Sequence, residues 1–290
     1  MGSRSEAPVR PLSKEDTRMA SRNLAELFDL ASHGPDVYVG EGLSYPWGGL
    51  YGGHIVAQAL RAAANTVEAG LLPHSLRAYF IRRGDNQEPV RYEVDRIRNG
   101  HSFSTRRVVA RQSIGAILNL EASFQCHEES EDIRTIPMPA SLPGPEDLPA
   151  TSWSEFFDRR FLPDWILAEP AGTGAGRTGA WMKVTSDLGD DQLMQRCALA
   201  YLSDDLPTDA VIRAHPEARR RSEAGEKMFN ASLDHTIWFH RPLRTDAWHL
   251  HDMSCHNYVA GRGLAIGHVF AADGTHVATL AQEVLSRLPR

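Results

Sequence analysis

Apolar or small residues occupy nearly the whole circumference of the stretch from Ile55 to Val67: Ile55, Val56, Ala57, Ala59, Leu60, Ala62, Ala63, Ala64 and Val67. A helix apolar all round is a buried one. At about four turns it is too short to span a bilayer, which takes roughly 20 apolar residues, so protein must enclose it. Its alanines let a sheet approach closely, and Gly52-Gly53 at its start leaves backbone N–H groups bare at a positive helix end. That suits a carbonyl oxygen or an anion, although two glycines can also simply turn the chain. Upstream, Leu24, Leu27, Phe28 and Ala31 predict an amphipathic helix ended by Gly34-Pro35, followed by a short strand over Gly42–Trp47.

After Leu72-Pro73 the pattern changes to strands over His74–Arg82, Val90–Arg98, Ser102–Arg111 and Ala116–Gln125, with turns at Gly84-Asp85, Asn99-Gly100 and Ser113–Gly115. In the last of these, Leu118, Leu120, Ala122 and Phe124 alternate with Asn119, Glu121 and Ser123, the period of a half-buried strand. A buried helix followed by an antiparallel meander predicts a sheet wrapped round a helix. The second half repeats this order: a strand at Ala180–Thr185, a helix from about Asp190 to Ser203, then strands at Ser232–Arg241, Ala247–Val259, Gly263–Ala271 and Thr275–Ser286. Element order, more than identity, points to a duplication. The expected organisation is a disordered tail over residues 1–20, a first helix-and-sheet domain over 21–126, a proline-rich acidic linker over 127–150, and a second domain over 151–290. The two sheets can then pair edge to edge.

Composition narrows the function. Lys+Arg 31 against Asp+Glu 37 gives a formal charge of −6, which argues against nucleic acid as the partner. Three well-separated cysteines (Cys126, Cys197, Cys255) predict neither a disulfide framework nor a zinc ribbon. The N-terminal residues lack the apolar core of a secretory signal, and Leu288-Pro289-Arg290 is not a peroxisomal tripeptide. Cytoplasmic residence without membrane insertion is therefore expected. The glycine-rich run Gly172–Gly176 lacks the Lys-Ser/Thr ending of a phosphate loop, and Gly100–Ser104 lacks the final glycine of a hydrolase elbow. His249 and His251 share a strand face, yet no ligand spacing with His235, His240 or His256 emerges, so no metal is expected.

Several blocks taken together carry a resemblance. Tyr51-Gly52-Gly53-His54-Ile55-Val56-Ala57-Gln58-Ala59-Leu60, His74-Ser75-Leu76-Arg77-Ala78-Tyr79-Phe80-Ile81-Arg82-Arg83-Gly84-Asp85, Asn99-Gly100-His101-Ser102-Phe103-Ser104-Thr105-Arg106-Arg107-Val108 and Ala122-Ser123-Phe124-Gln125 come in this order. They are followed by Ala200-Tyr201-Leu202-Ser203-Asp204, Leu233-Asp234-His235-Thr236-Ile237-Trp238-Phe239-His240-Arg241-Pro242 and Ala281-Gln282-Glu283. This series resembles the acyl-CoA thioesterase II (TesB-like) family. The resemblance implies an α+β double hotdog, hydrolysis of fatty acyl-CoA without metal or cofactor, and assembly into a homodimer or homotetramer.

It also implies a site made of Asp204, Ser232 and Gln282. A carboxylate can take a proton from water, while a hydroxyl and an amide orient that water and donate to developing negative charge, so no covalent acyl-enzyme is required. Ser232 keeps the hydroxyl where the family often carries threonine but loses the β-branch, and His54 stands where glutamine is common. Backbone N–H groups at Gly53 or His54 are the expected polarisers of the substrate carbonyl, Arg82 and Arg106 the candidate contacts for the phosphates of coenzyme A, and His74 a second-choice acid-base residue. A non-catalytic acyl-CoA-binding protein and a hotdog enoyl-CoA hydratase or dehydratase are the rivals. The Asp-x-Asn-Pro-x-His run of the hydratases is absent from this sequence.

Overall fold

The computed structural model describes residues 23–167, 176–215, 217, 221, 224, 226 and 228–287. The expected tail over 1–20, residues 172–175 of the glycine-rich run and the final tripeptide lie outside the described residues. Among the described residues, thirteen strands join in one antiparallel sheet. In chain order they are β1 (Ala31–Ser32), β2 (Val37–Gly40), β3 (Leu71–Phe80), β4 (Val90–Asn99), β5 (Phe103–Gln112), β6 (Gly115–Cys126), β7 (Phe157–Phe161), β8 (Arg177–Val184), β9 (Phe229–Ser232), β10 (Asp234–Phe239), β11 (His249–Val259), β12 (Arg262–Ala271) and β13 (His276–Arg287). The helices are α1 (Gly52–Ala64), the short α2 (Asp164–Leu167), α3 (Gln192–Leu202) and α4 (Leu206–Ala214).

The strand order β2-β4-β5-β6-β3 is met by β10-β13-β12-β11-β8, a mirror-image sequence that is the structural record of a duplication. The two halves join where β3 pairs with β10. Ser75 faces Trp238 and Tyr79 faces Asp234, so the steps from 75 to 234 and from 79 to 238 are both 159 residues, and Arg77 opposite Thr236 marks the local twofold. α1 packs on β3–β6 of its own half and on α3, α3 in turn touches β3, and α4 lies on β8, β11, β12 and β13 of the second half, so most of the core lies in one continuous cluster. The fold is a double hotdog.

Three sequence expectations are corrected. The segment after Asn23 is a 3-10 helix, Leu24–Phe28, capped by the Asn23 side chain accepting from the Ala25 N–H at 3.0 Å. Gly34 and Asp36 then take positive φ (111° and 57°) and turn the chain into the β1–β2 hairpin, so Gly34-Pro35 makes a strand reversal and not merely a helix stop. The strand expected over Gly42–Trp47 is irregular; the ladder ends at Gly40, and Leu43 and Tyr45 are buried through their side chains, Tyr45 stacking on Trp47 at 5.3 Å. β7, β9 and α4 were not legible.

The connecting segment is strapped to the second half. Trp181 Nε1 donates to Pro143 O at 3.0 Å, Arg241 pairs with Asp132, and Leu148 packs with Leu162, Leu167, Trp181, Leu250 and Phe270.

Candidate active site

The site forms where α3 ends. Asp191 caps the start of α3 by accepting from Leu193 N–H at 2.9 Å, and Ser203 closes its last turn with an N–H to Leu199 O bond of 2.9 Å. Two aspartates follow and diverge. Asp205 opens α4 and is neutralised, accepting from Arg159 Nη1 at 2.6 Å and Trp153 Nε1 at 2.7 Å. Asp204 turns the other way, onto the N-terminus of α1.

There Gly53 N–H donates to Asp204 Oδ2 at 3.0 Å. A helix N-terminus leaves N–H groups unpaired and carries partial positive charge. Tyr51, the N-cap residue, makes no side-chain cap, so a carboxylate 151 residues further along supplies one. The paired glycines are what permit this approach: a Cβ on Gly52 would overlap Asp204 Oδ2 and one on Gly53 would overlap the Tyr201 carbonyl. On the other side, Ser232 Oγ donates to Asp204 Oδ1 at 3.0 Å, and Gln282 Nε2 donates to both Asp204 Oδ1 (2.9 Å) and Ser232 Oγ (2.8 Å). The sheet sets this spacing. Ser232 ends β9 opposite Val284 of β13, and strand alternation puts Gln282 and Val284 on the same, inward face.

Asp204 is only 6% exposed, and among the described residues no cationic side chain pairs with it. Burial pushes its pKa up to about 7, against the opposing pull of the Ser232, Gln282 and Gly53 donors. A buried carboxylate titrating near neutrality is poised to accept a proton.

The structure thus brings Asp204, Ser232, Gln282 and Gly53 together. Gly53 has a different part from the one expected: its N–H is committed to Asp204, not open to a substrate carbonyl. His54 is fully buried on α1, bonded through Nδ1 to Tyr45 Oη (2.8 Å) and through Nε2 to Glu41 O (3.2 Å), and burial lowers its pKa to about 4. Arg82 is at the surface, its Nη1 donating to Ala116 O at 2.8 Å. His74 lies on β3 against Ser123 Oγ at 2.8 Å.

Arg106 corrects the expectation of a phosphate contact. It is 1% exposed and its guanidinium is consumed inside the protein, donating to Thr66 Oγ1, Thr66 O, Arg98 O, Thr105 O and Asn99 Oδ1. It ties the end of α1 to the β4–β5 turn. Arg106→Met leaves these buried acceptors unmet, a cost of about 1–3 kcal/mol. A lowered urea midpoint with an unaltered KM for substrate is the expected result; a raised KM at wild-type stability would return Arg106 to substrate binding.

Sequence reasoning missed His235 and Ser203, which stand behind Gln282. The available signal was a histidine at an inward position of a strand otherwise burying Thr236, Ile237 and Phe239. It also missed the aromatic seam beside Asp204, where Tyr51 contacts Trp153 (5.0 Å between centroids) and Tyr201 (5.1 Å) across the two halves. Among the described residues no three His, Cys, Asp or Glu side chains are grouped so as to hold a metal ion. Nor, among them, is any helix long and apolar enough to cross a membrane.

Comparison with known proteins shows which family the sequence matches. Residues 43–125 match the family described as acyl-CoA thioesterase N-terminal domain, and residues 130–286 the acyl-CoA thioesterase C-terminal domain. The chain is 32% identical, over 290 aligned residues, to acyl-CoA thioesterase 2 of Haemophilus influenzae, covering 91% of this chain and 97% of that one. It is 35% identical over 274 residues to acyl-coenzyme A thioesterase 8 of Mus musculus, covering 82% and 80%. Among solved structures, acyl-CoA thioesterase II TesB2 from Mycobacterium marinum superposes with a TM-score of 0.79 at 35% identity, over 91% of this chain and 97% of that one. A hot dog protein of unknown function from Alicyclobacillus acidocaldarius, at 20% identity and a TM-score of 0.74, shares the fold.

Proposed function

The chain belongs to the acyl-CoA thioesterase family, and we propose that it hydrolyses fatty acyl-CoA to free fatty acid and coenzyme A by direct attack of a water held at Asp204. The observation that carries this reading is the Asp204 carboxylate, buried, bonded among the described residues by neutral donors alone, with its pKa raised by burial to about 7.

In the proposed step, ionised Asp204 accepts a proton from the water as its oxygen bonds to the thioester carbonyl carbon. Gln282 holds Asp204 and Ser232 in register, the remaining lone pair of Ser232 Oγ is left to accept from the water, and the N-terminus of α1 keeps the carboxylate in place through Gly53 N–H. The tetrahedral intermediate then expels the coenzyme A sulfur as the C–S bond breaks, and the proton passes from Asp204 to the departing thiolate. Water supplies the oxygen that bonds to the acyl carbon and the proton that ends on the thiol, so the step runs without an acyl-enzyme. Cys197, a conceivable nucleophile, is fully buried within α3, with burial pushing its thiol up to about 12.

The test is the pH dependence of thiol release. A base works ionised, and Asp204 is ionised above its folded-state pKa. kcat/KM is expected to be flat above about pH 7 and to fall about tenfold per unit below it. A profile flat down to pH 5 sinks Asp204 as the base. The same assay across short to long acyl-CoAs reads the acyl preference.

A further inference from the structure

The donors around Asp204 form a directed series that starts two residues behind the site, and resting on the water-activation reading above, we propose that His235, set by Ser203, is a positioning residue that fixes which way the Gln282 amide points. His235 is fully buried on β10, its Nδ1 2.5 Å from Gln282 Oε1 and its Nε2 2.8 Å from Ser203 Oγ.

The directions follow from what each group can do. An ionised carboxylate only accepts, so Gln282 must turn its NH2 toward Asp204, where both N–H groups are used, on Asp204 Oδ1 and Ser232 Oγ. Gln282 Oε1 is then an acceptor with its back to the site, and the group facing it must donate. His235 Nδ1 therefore carries the proton. Burial lowers the pKa of His235 to about 4, so the ring is neutral, and its Nε2, 2.8 Å from Ser203 Oγ, accepts the hydroxyl's hydrogen bond in preference to Ala200 O, the acceptor 3.2 Å away.

Amide flips cost a free glutamine nothing, since oxygen and nitrogen have nearly the same shape. A flipped Gln282 would set Oε1 against Asp204 Oδ1, two acceptors face to face, and would release Ser232 from the donor that orients it. His235 Nδ1–H makes the flip unfavourable, because the flipped amide would meet it donor to donor. The corresponding position in the first half, offset by 159 residues, is Leu76, a buried apolar residue on β3. The half that lacks the carboxylate site thus lacks the polar relay as well.

A role acting through Gln282 makes a double-mutant cycle decisive. His235→Leu is expected to lower kcat for acyl-CoA hydrolysis about 10- to 100-fold with KM within about twofold of wild type. His235→Asn, whose side-chain amide can donate from the place of Nδ1, is expected to restore most of that loss. In a Gln282→Ala background His235→Leu is expected to cost nothing further. Losses that multiply in the double variant, a loss appearing in KM alone, or no rescue by asparagine would overturn the assignment. Where His235→Leu does not fold, Ser203→Ala supplies the second reading. Freeing Nε2 to hold the proton is expected to lower kcat at constant KM, and a wild-type kcat there counts against the relay. Wild-type turnover in Gln282→Ala itself sinks the water-activation reading, and that outcome is visible in the single variant before the cycle closes.

Discussion

Asp204→Asn is expected to release thiol from acyl-CoA about 10²- to 10⁴-fold more slowly than wild type, the usual contribution of a positioned general base. The side chain keeps its size and one acceptor oxygen, so circular dichroism and gel filtration should match wild type. What is lost is the ability to take a proton. The Asn amide also sets N–H against the Gln282 and Ser232 donors that now converge on Oδ1. Asp205 is the natural comparison because it adjoins Asp204 and carries the same charge. Its carboxylate is bound to Arg159 and Trp153, so it is spent on holding the start of α4 against β7. Wild-type turnover in a correctly folded Asp204→Asn protein would remove Asp204 from the chemistry.

The two aspartates also show what could be read from the chain and what could not. Sequence order placed both at the end of a helix, and nothing local separates one from the other; family resemblance alone chose Asp204. The separation is three-dimensional, since Arg159 lies 46 residues away and Gly53 lies 151 away. Legibility followed the range of the interactions. α1, α3, the main strands of each meander and the duplication all leave a period or an order in the sequence, and the structure has them within a few residues of the expected bounds. The irregular run to Trp47 and the burial of Arg106 draw on partners distant along the chain, whereas the hairpin at Gly34 closes locally but with only two residue pairs, Ala31 with Val39 and Ser32 with Tyr38, too few to leave a period. Arg106 sits at an inward position of β5 among Ser104, Val108 and Ala110, and that alternation was the one local hint that it faces the core. The sequence assigns Gly53 N–H to the substrate carbonyl, and in the structure that N–H donates to the protein's own carboxylate, Asp204.

Because the N-terminus of one half's helix is capped by the carboxylate of the other half, α1 comes at Gly53 directly against the Tyr201 carbonyl of α3, with no room for a side chain there. Gly53→Ala is the sharpest test of that contact. Its added Cβ would overlap the main-chain carbonyl of Tyr201 and stand 2.6 Å from the Tyr51 ring, and a carbonyl in the last turn of a helix cannot step aside alone. Overpacking of this kind costs about 3 kcal/mol, or a fall in Tm of about 6–12 °C at roughly 2–4 °C per kcal/mol. Turnover should drop as well, because separating the helices stretches the Gly53 N–H to Asp204 bond. Gly52→Ala acts differently. Its Cβ meets Asp204 Oδ2 and comes within 2.9 Å of the Phe80 ring, side-chain atoms that can shift. Smaller loss of Tm with a kcat loss of at least about tenfold is expected, since moving the carboxylate frees space at the price of alignment. Equal, near-wild-type kcat and Tm in both variants would mean that the helix junction tolerates a methyl group. The close approach of α1 to Asp204 would then be no part of how this enzyme works.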